Sequence, residues 1–468
     1  MGQRVVRLKW LVRRIGRMYW QEVPYRVASV CRSALQGAGV FTAARVPALL
    51  ADHRFGAPWC ATGAAVMPEA SVLARADTVM GGDWSVYGTP VRFEQGLPDW
   101  NADPVTGTRI PLDFGLSIDF RHVGDGIDIK HLWELNRVLW WVPLAQAWAA
   151  SGDKRYLDRL GQLLASWLQA CPYARGANWS SPVEHAIRLI NWSLVWHLIG
   201  GAASPLFEGE PGRALLVRWL DSIYQHMRFA SDNYSFYSSA DNHLIGEAAG
   251  VFVAAHTWDC WAEGRRLREG ARRILEEEAI KQFGADGVNL EQAFCYHKFS
   301  LQFLLAAGLC GKANGDALSA ALWARIESAC VFMAALTDVA GKVPKYGDAD
   351  DGDVWRLASG PQDSHLELLA IGARQFDHGA MIAKCKTLGE AVLPMASPTL
   401  GATGLASNLR PACGSLGQLP RQFLMGGYAL LGNRLHQPDE LRVLVDCGAL
   451  GYNRIAGHGH ADALSVLV

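Results

Sequence analysis

His131–Ala150 (HLWELNRVLWWVPLAQAWAA), Lys154–Cys171 (KRYLDRLGQLLASWLQAC) and Pro182–Gly200 (PVEHAIRLINWSLVWHLIG) follow one another on short connections, and their reading decides the fold. Each repeats apolar residues at three- and four-residue spacing, the period of one helix face. Leu157, Leu160, Leu164, Trp167 and Leu168 form one such stripe. Pro182 suits a first helical turn, where a missing N–H removes no hydrogen bond. The rhythm continues outward and predicts helices at about 213–229, 241–261, 263–282, 298–312, 316–338 and 364–388. Helices of similar length on short polar loops stack as antiparallel hairpins. An α/α toroid is one closed form of that stack and an open solenoid another; periodicity does not separate them.

The pattern changes near residue 393. The stretch 393–418 is rich in Pro, Gly, Ser and Ala and reads as a linker or long loop. Beyond it FLMGGYALLGN, ELRVLVDC and ADALSVLV are short runs between turn signals, the mark of β-strands. The expected division is a helical domain over 1–392, a linker over 393–418 and the start of a β-domain over 419–468. So few strands do not complete a sheet domain, so the natural chain is expected to continue past Val468.

Composition narrows the function. Among 468 residues, Lys plus Arg number 44 and Asp plus Glu 45, which lacks the basic footprint of a nucleic-acid binder. Half the residues are hydrophobic and 19% charged, as in a globular protein. Eighteen Trp residues supply flat faces suited to sugars, although large helical proteins also bury Trp in their cores. The ten Cys form no C-x-x-C pair, which disfavours a zinc ribbon. At the N-terminus, Arg4, Arg7, Lys9, Arg13, Arg14 and Arg17 interrupt any signal-peptide core. Leu8, Leu11, Val12, Ile15 and Tyr19 instead describe a basic amphipathic helix. No apolar run is long enough to cross a bilayer. Localisation stays open: the missing signal peptide favours the cytoplasm.

Four clusters carry possible chemistry: Asp241-Asn242-His243 with Glu247 one turn on, Glu291 to Tyr296-His297, Tyr346-Gly-Asp348-Ala-Asp350-Asp351, and Gly457-His458-Gly459-His460-Ala-Asp462. Each also has a plain structural reading: Asp241 as a helix N-cap, Tyr296 as a core tyrosine, the acidic run as a solvated turn. If His458, His460 and Asp462 lay on a strand they would share a face, and two His with an Asp can bind zinc. The pattern is similar to the metal motif of metallo-β-lactamase-like hydrolases, but Ala463 stands where that motif has a further His.

Taken in order, these clusters resemble the heparinase II/III family. Asn178-Trp179-Ser-Ser-Pro-Val-Glu184-His-Ala-Ile-Arg188, Asp99-Trp100-Asn101-Ala-Asp103-Pro104 and Asp128-Ile-Lys130-His-Leu-Trp133-Glu134 add to the likeness, which runs from about residue 5 to the end. The resemblance implies an incomplete α/α toroid followed by an antiparallel β-sandwich, with the substrate cleft between them. It implies a lyase that removes the C5 proton of a uronic acid and expels the O4-linked sugar. In that role Asn242 and His243 neutralise the uronate carboxylate, Glu247 holds the His243 ring, Tyr296 is the acid and an alternative base for one sugar epimer, and His458 is the base on the other face. Trp179, Glu184, Arg188, Glu247, Glu291 and Asp348 are the expected substrate-binding residues, Trp179 by stacking. Glu184 and Arg188, one turn apart, either pair or line the cleft. No cofactor is needed for the chemistry; His460 is the expected ligand of a structural zinc. The expected partner is an acidic polysaccharide, a substrate class that favours the periplasm or exterior.

Three other readings compete. A glycoside hydrolase on a toroid needs two carboxylates across the bond, and Asp348, Asp351, Glu247 and Glu291 supply candidates without a spacing that selects a pair. A zinc hydrolase would centre on His458, His460 and Asp462. An inactive carbohydrate-binding protein would keep the fold alone.

Overall fold

The structure is a computed structural model and describes residues 19–40, 42–62, 70–350, 352–357, 364–388, 416–452, 456–460 and 462–468. The basic helix read at the N-terminus and nearly all of the 393–418 linker lie outside these residues.

Helices α1 (Glu22–Gly37) and α2 (Ala70–Met80) lead into β1 (Ser85–Val86), β2 (Thr89–Pro90), β3 (Phe93–Glu94) and β4 (Leu97–Pro98), two small antiparallel hairpins. The helical array follows: α3 (Ile129–Asn136), α4 (Trp141–Ser151), α5 (Lys154–Ala170), α6 (Pro182–Leu198), α7 (Gly209–Asp232), α8 (Asn242–Thr257), α9 (Gly264–Gln282), α10 (Phe294–Ala313), α11 (Ala320–Leu336), α12 (Ser364–Phe376) and α13 (Gly379–Leu388). A four-stranded antiparallel sheet closes the described chain, in the order β5 (Gln422–Phe423), β6 (Tyr428–Asn433), β7 (Leu441–Asp446), β8 (Val466–Leu467). Helices first and antiparallel sheet second is the order expected from the sequence.

The amphipathic pattern explains the layers. In α5 the Asp153 side chain caps the N-terminus by accepting from Arg155 N–H, and Leu157, Leu160, Leu164 and Trp167 turn into the core. Helix α8 is apolar nearly all round, so it sits in the middle. It packs on α6, α7, α9 and α10. Its contact with α6 is so close that a Cβ on Gly250 would lie 2.3 Å from the Ala186 Cα. Only glycine permits that approach, which outweighs its helix penalty of about 1 kcal/mol. Trp84, Trp100, Trp141, Trp167, Trp192, Trp219 and Trp258 are fully buried, so the tryptophan richness is mostly core.

Boundaries differ where backbone geometry intervenes. The 131–150 stretch is two helices, α3 and α4, interrupted at Val138, whose φ of 56° is left-handed. The stretch 364–388 is likewise split at Asp377, with φ 48°. Helix α10 begins earlier than its apolar stripe, at Phe294, which places Tyr296 on its first turn. Residues 458–460 form a turn rather than a strand, with His460 at φ 48°, so His458, His460 and Asp462 do not share a strand face. Among the described residues no helix is long and apolar enough to cross a membrane.

Candidate active site

The N-termini of α8 and α10 and the break after α3 face one cleft. Its cavity, of about 90 Å³, is lined by Tyr87, Lys130, Trp133, Arg137, Glu184, Asn242, His243, Tyr296 and Asp350. Asn242 and His243 arrive there because Asp241 starts α8, its side chain accepting from His243 N–H. The structural reading of Asp241 as an N-cap is correct, and the cap presents the two residues after it. Gly347 (φ 64°) lets its loop pass against α10: a Cβ there would lie 2.4 Å from the Gln292 carbonyl oxygen. That approach brings Asp350 to the cleft wall and Asp348 to His458 and His460.

Carboxylates hold three of the expected site side chains, and Glu291 faces two of them, its Oε2 lying 3.6 Å from His458 Nε2 as well as on Asn242. Glu291 accepts from both Asn242 N–H (3.0 Å) and Asn242 Nδ2 (2.8 Å). Asp348 Oδ2 lies 2.7 Å from His458 Nδ1, and its other oxygen takes His460 Nε2. Asp350 Oδ2 accepts the Tyr296 hydroxyl at 2.7 Å and also pairs with Lys130 Nζ at 2.7 Å. The Tyr296 and His458 rings lie 3.9 Å apart between centroids. Burial, then the hydrogen bond to Asp350, pushes the Tyr296 hydroxyl far above its ordinary value. Burial and the neighbouring Asp241 push Glu291 well above the carboxylate range. Burial works against Asp350 ionising, but Lys130 and Tyr296 outweigh it and hold Asp350 below that range.

Beneath the cleft lies a chain of alternating charge. Lys298 pairs with Asp353 (2.8 Å), Asp353 with Arg356 (2.9 Å), Arg356 with Glu134 (2.8 Å), Glu134 with Arg137 (2.8 Å) and Arg137 with Glu184 (2.8 Å). The helix break at Val138 frees Arg137 to bridge α3 and α6. Removing one member of such a buried chain leaves opposite charges uncompensated. Arg137→Ala is therefore expected to destabilise the fold by about 3–5 kcal/mol, read by denaturant unfolding. A loss below about 1 kcal/mol would mean the pairs are solvated in solution.

Several expected site residues lie elsewhere or act differently. Trp179 is fully buried among Tyr173, His185, His226 and Phe229, so its ring meets side chains rather than a sugar. Arg188 is also buried, with Nε on His226 Nε2 at 3.0 Å; it neither pairs with Glu184 nor reaches the cleft. Glu184 does line the cleft, in a two-point pair with Arg137. Glu247 does not hold the His243 ring: its carboxylate accepts from Ser235 N–H and Oγ, both at 2.7 Å. Glu291 and Asp348 orient other side chains. Sequence reading missed Tyr87 and Arg137, which carry no motif of their own, and it placed Lys130 and Trp133 in the family likeness without a role.

Burial pushes Glu247 up to about 8, against an ordinary 4.5. A carboxyl raised on folding contributes stability that is complete below the ordinary value and lost as pH rises through the folded one. Thermal stability should therefore fall between about pH 5 and pH 8, and Glu247→Gln should flatten that slope. An unchanged slope would show that Glu247 is not its source.

The expected zinc ligands do not converge. His458 and His460 turn to the two oxygens of Asp348, and the Asp462 carboxylate accepts Gly347 N–H at 2.7 Å. Among the described residues Asp241, Glu291 and His458 do bring ligand atoms within 4.8 Å of one another. Their oxygens, however, already serve His243 N–H and Asn242. Among the described residues His460 meets Asp348, and no third ligand atom gathers with them.

The family model for the heparinase II/III N-terminus matches residues 89–359, more than half of the chain, and that for the heparinase II/III-like C-terminal domain matches 417–468. The chain belongs to the heparinase II/III family. A heparin-sulfate lyase of Pedobacter heparinus is 25% identical over 201 residues, 42% of this chain and 29% of that protein. A heparin-sulfate lyase of Bacteroides stercoris is 24% identical over 222 residues, 43% of this chain and 32% of that protein. The crystal structure of a heparinase III superimposes with a TM-score of 0.55 at 16% identity, covering 82% of this chain and 53% of that one. A second heparinase III structure gives 0.51 at 18% identity, covering 86% and 55%. This heparinase II/III chain thus shares their toroid-plus-sheet fold and spans about half the length of the solved structures. The family's C-terminal match contains His458 and its N-terminal match contains Asn242, Tyr296 and Asp348, so the clustered side chains come from both regions.

Proposed function

We propose that this protein is a polysaccharide lyase that cleaves a uronic-acid-containing polysaccharide by β-elimination, leaving a 4,5-unsaturated uronide. The observation that carries the reading is the contact between Tyr296, which lines the cleft with Asn242, and the His458 ring behind it, with Asp350 on the phenol and Asp348 on the imidazole. In this reaction the C5–H bond breaks and its electron pair becomes the C4–C5 double bond. The C4–O bond breaks, and the leaving oxygen takes a proton. The barrier lies in removing a proton beside an ionised carboxylate. The Asn242 amide has one N–H on Glu291 and a second to offer the uronate. The His243 ring faces the cleft with no hydrogen-bond partner among the described residues.

With its Nδ1–H donated to Asp348, His458 turns Nε2 toward Glu291 Oε2 at 3.6 Å and serves as the base through that nitrogen. Tyr296 holds its proton firmly, which suits the acid that protonates the leaving oxygen. A phenolate is disfavoured beside Asp350, so the base role for Tyr296 is the weaker one. The hydrolase reading needs two unengaged carboxylates across a bond. Glu247 and Glu291 are buried and hydrogen-bonded, Asp348 holds two imidazoles, and Asp351 lies outside the described residues.

The test is ultraviolet absorbance of the new double bond on a panel of glucuronate, iduronate, mannuronate and guluronate polymers. Rising absorbance on at least one is expected. New reducing ends without absorbance would replace the lyase by a hydrolase.

A further inference from the structure

The catalytic cleft has a neighbour on the other side of the 348–350 segment. Cys295 and Asp350 line both cavities. The second cavity, about 190 Å³, has apolar walls from Phe294, Val343, Pro344 and Tyr346. A cavity of roughly 150 Å³ accommodates benzene, so this one has room for a six-membered ring.

Its charges are unevenly committed. Asp348 is engaged by His458 and His460, and Asp350 by Lys130 and Tyr296. Lys298 is paired with Asp353. Lys342 and Lys345 also line the cavity, and among the described residues neither ammonium has a hydrogen bond or ion pair. Among the described residues the lining acids are occupied and the two lysine ammonium groups are not, so the unbalanced charge these side chains present to a ligand is positive.

We propose that this cavity is an anion subsite, taking a pyranose whose sulfate or carboxylate substituent meets Lys342 and Lys345, next to the unit cleaved at Tyr296. Its place in turnover rests on the lyase reading, but its binding chemistry does not. Two anionic substituents satisfy the same geometry, and the experiment separates them.

Tyr296→Phe, with turnover blocked, would be titrated calorimetrically with an O-sulfated uronate-containing tetrasaccharide and with its desulfated counterpart, at low ionic strength. The same titrations on Tyr296→Phe/Lys342→Ala/Lys345→Ala are expected to show roughly five- to thirtyfold weaker binding, the loss of two ion pairs. A loss confined to the sulfated ligand assigns the site to sulfate; an equal loss for both assigns it to carboxylate. Equal affinities with and without the lysines, or no binding of either ligand by the parent, would overturn the proposal. Both lysines are exposed, so the substitutions spare the core; matching thermal melts would verify this. Wild type that binds through these lysines but forms no unsaturated product would refute the lyase reading and leave the anion site standing.

Discussion

Tyr296→Phe should fold normally and lose at least about 10³-fold in kcat, with KM little changed. The substitution removes one oxygen and keeps the ring against His458. Two things are lost with that oxygen. The leaving sugar no longer has a proton donor, a contribution of about 10²–10⁴. Asp350 also loses its hydrogen bond from the phenol and keeps only Lys130. Steady-state rates followed at the double-bond absorbance, with a thermal melt as control, decide the matter. Activity within tenfold of wild type would remove Tyr296 from the chemistry.

Asn242→Ala should lower kcat by about 10²–10³, the usual loss when one donor to a developing charge is removed. The uronate carboxylate gains electron density as C5 loses its proton, so the amide acts more strongly in the transition state than in the ground state. KM should therefore move less than kcat. Glu291 shapes this prediction: it fixes the amide by two hydrogen bonds, so Glu291→Gln, which replaces one acceptor by a donor, should lose activity in the same direction and by less. A raised KM with kcat unchanged on Asn242→Ala would instead make Asn242 a simple binding residue.

The sequence made the helical array legible because apolar spacing is a strong, local signal. It failed at Val138 and Asp377, where a single left-handed residue breaks a helix whose apolar stripe continues across the gap. Within the site, Asn242, His243, Tyr296, His458 and Glu184 were readable from residue type and order, and the structure brings them together. Trp179, on the turn before α6, and Arg188, on α6 itself, were misread for one reason: both are fully buried, so a motif that looks functional is packing. Glu247 sits one turn from His243 but turns to Ser235, a partner in a loop that helical spacing cannot supply. The roles of Glu291, Asp348 and Asp350 as holders of other side chains depend on contacts across 49, 110 and 54 residues, which no local pattern encodes. Arg137 illustrates the same limit, because its importance arises from a helix break and from Glu184 on the next hairpin.

The most direct test of the central claim is the mass of the cleavage products formed in water enriched in heavy oxygen. Elimination moves a proton from C5 and adds no water, so the account predicts a new non-reducing end that is unsaturated, and two product fragments whose masses sum to the parent with no label incorporated. Fragments that together weigh one water more than the parent and carry the heavy oxygen would contradict it, and would return the site to hydrolysis.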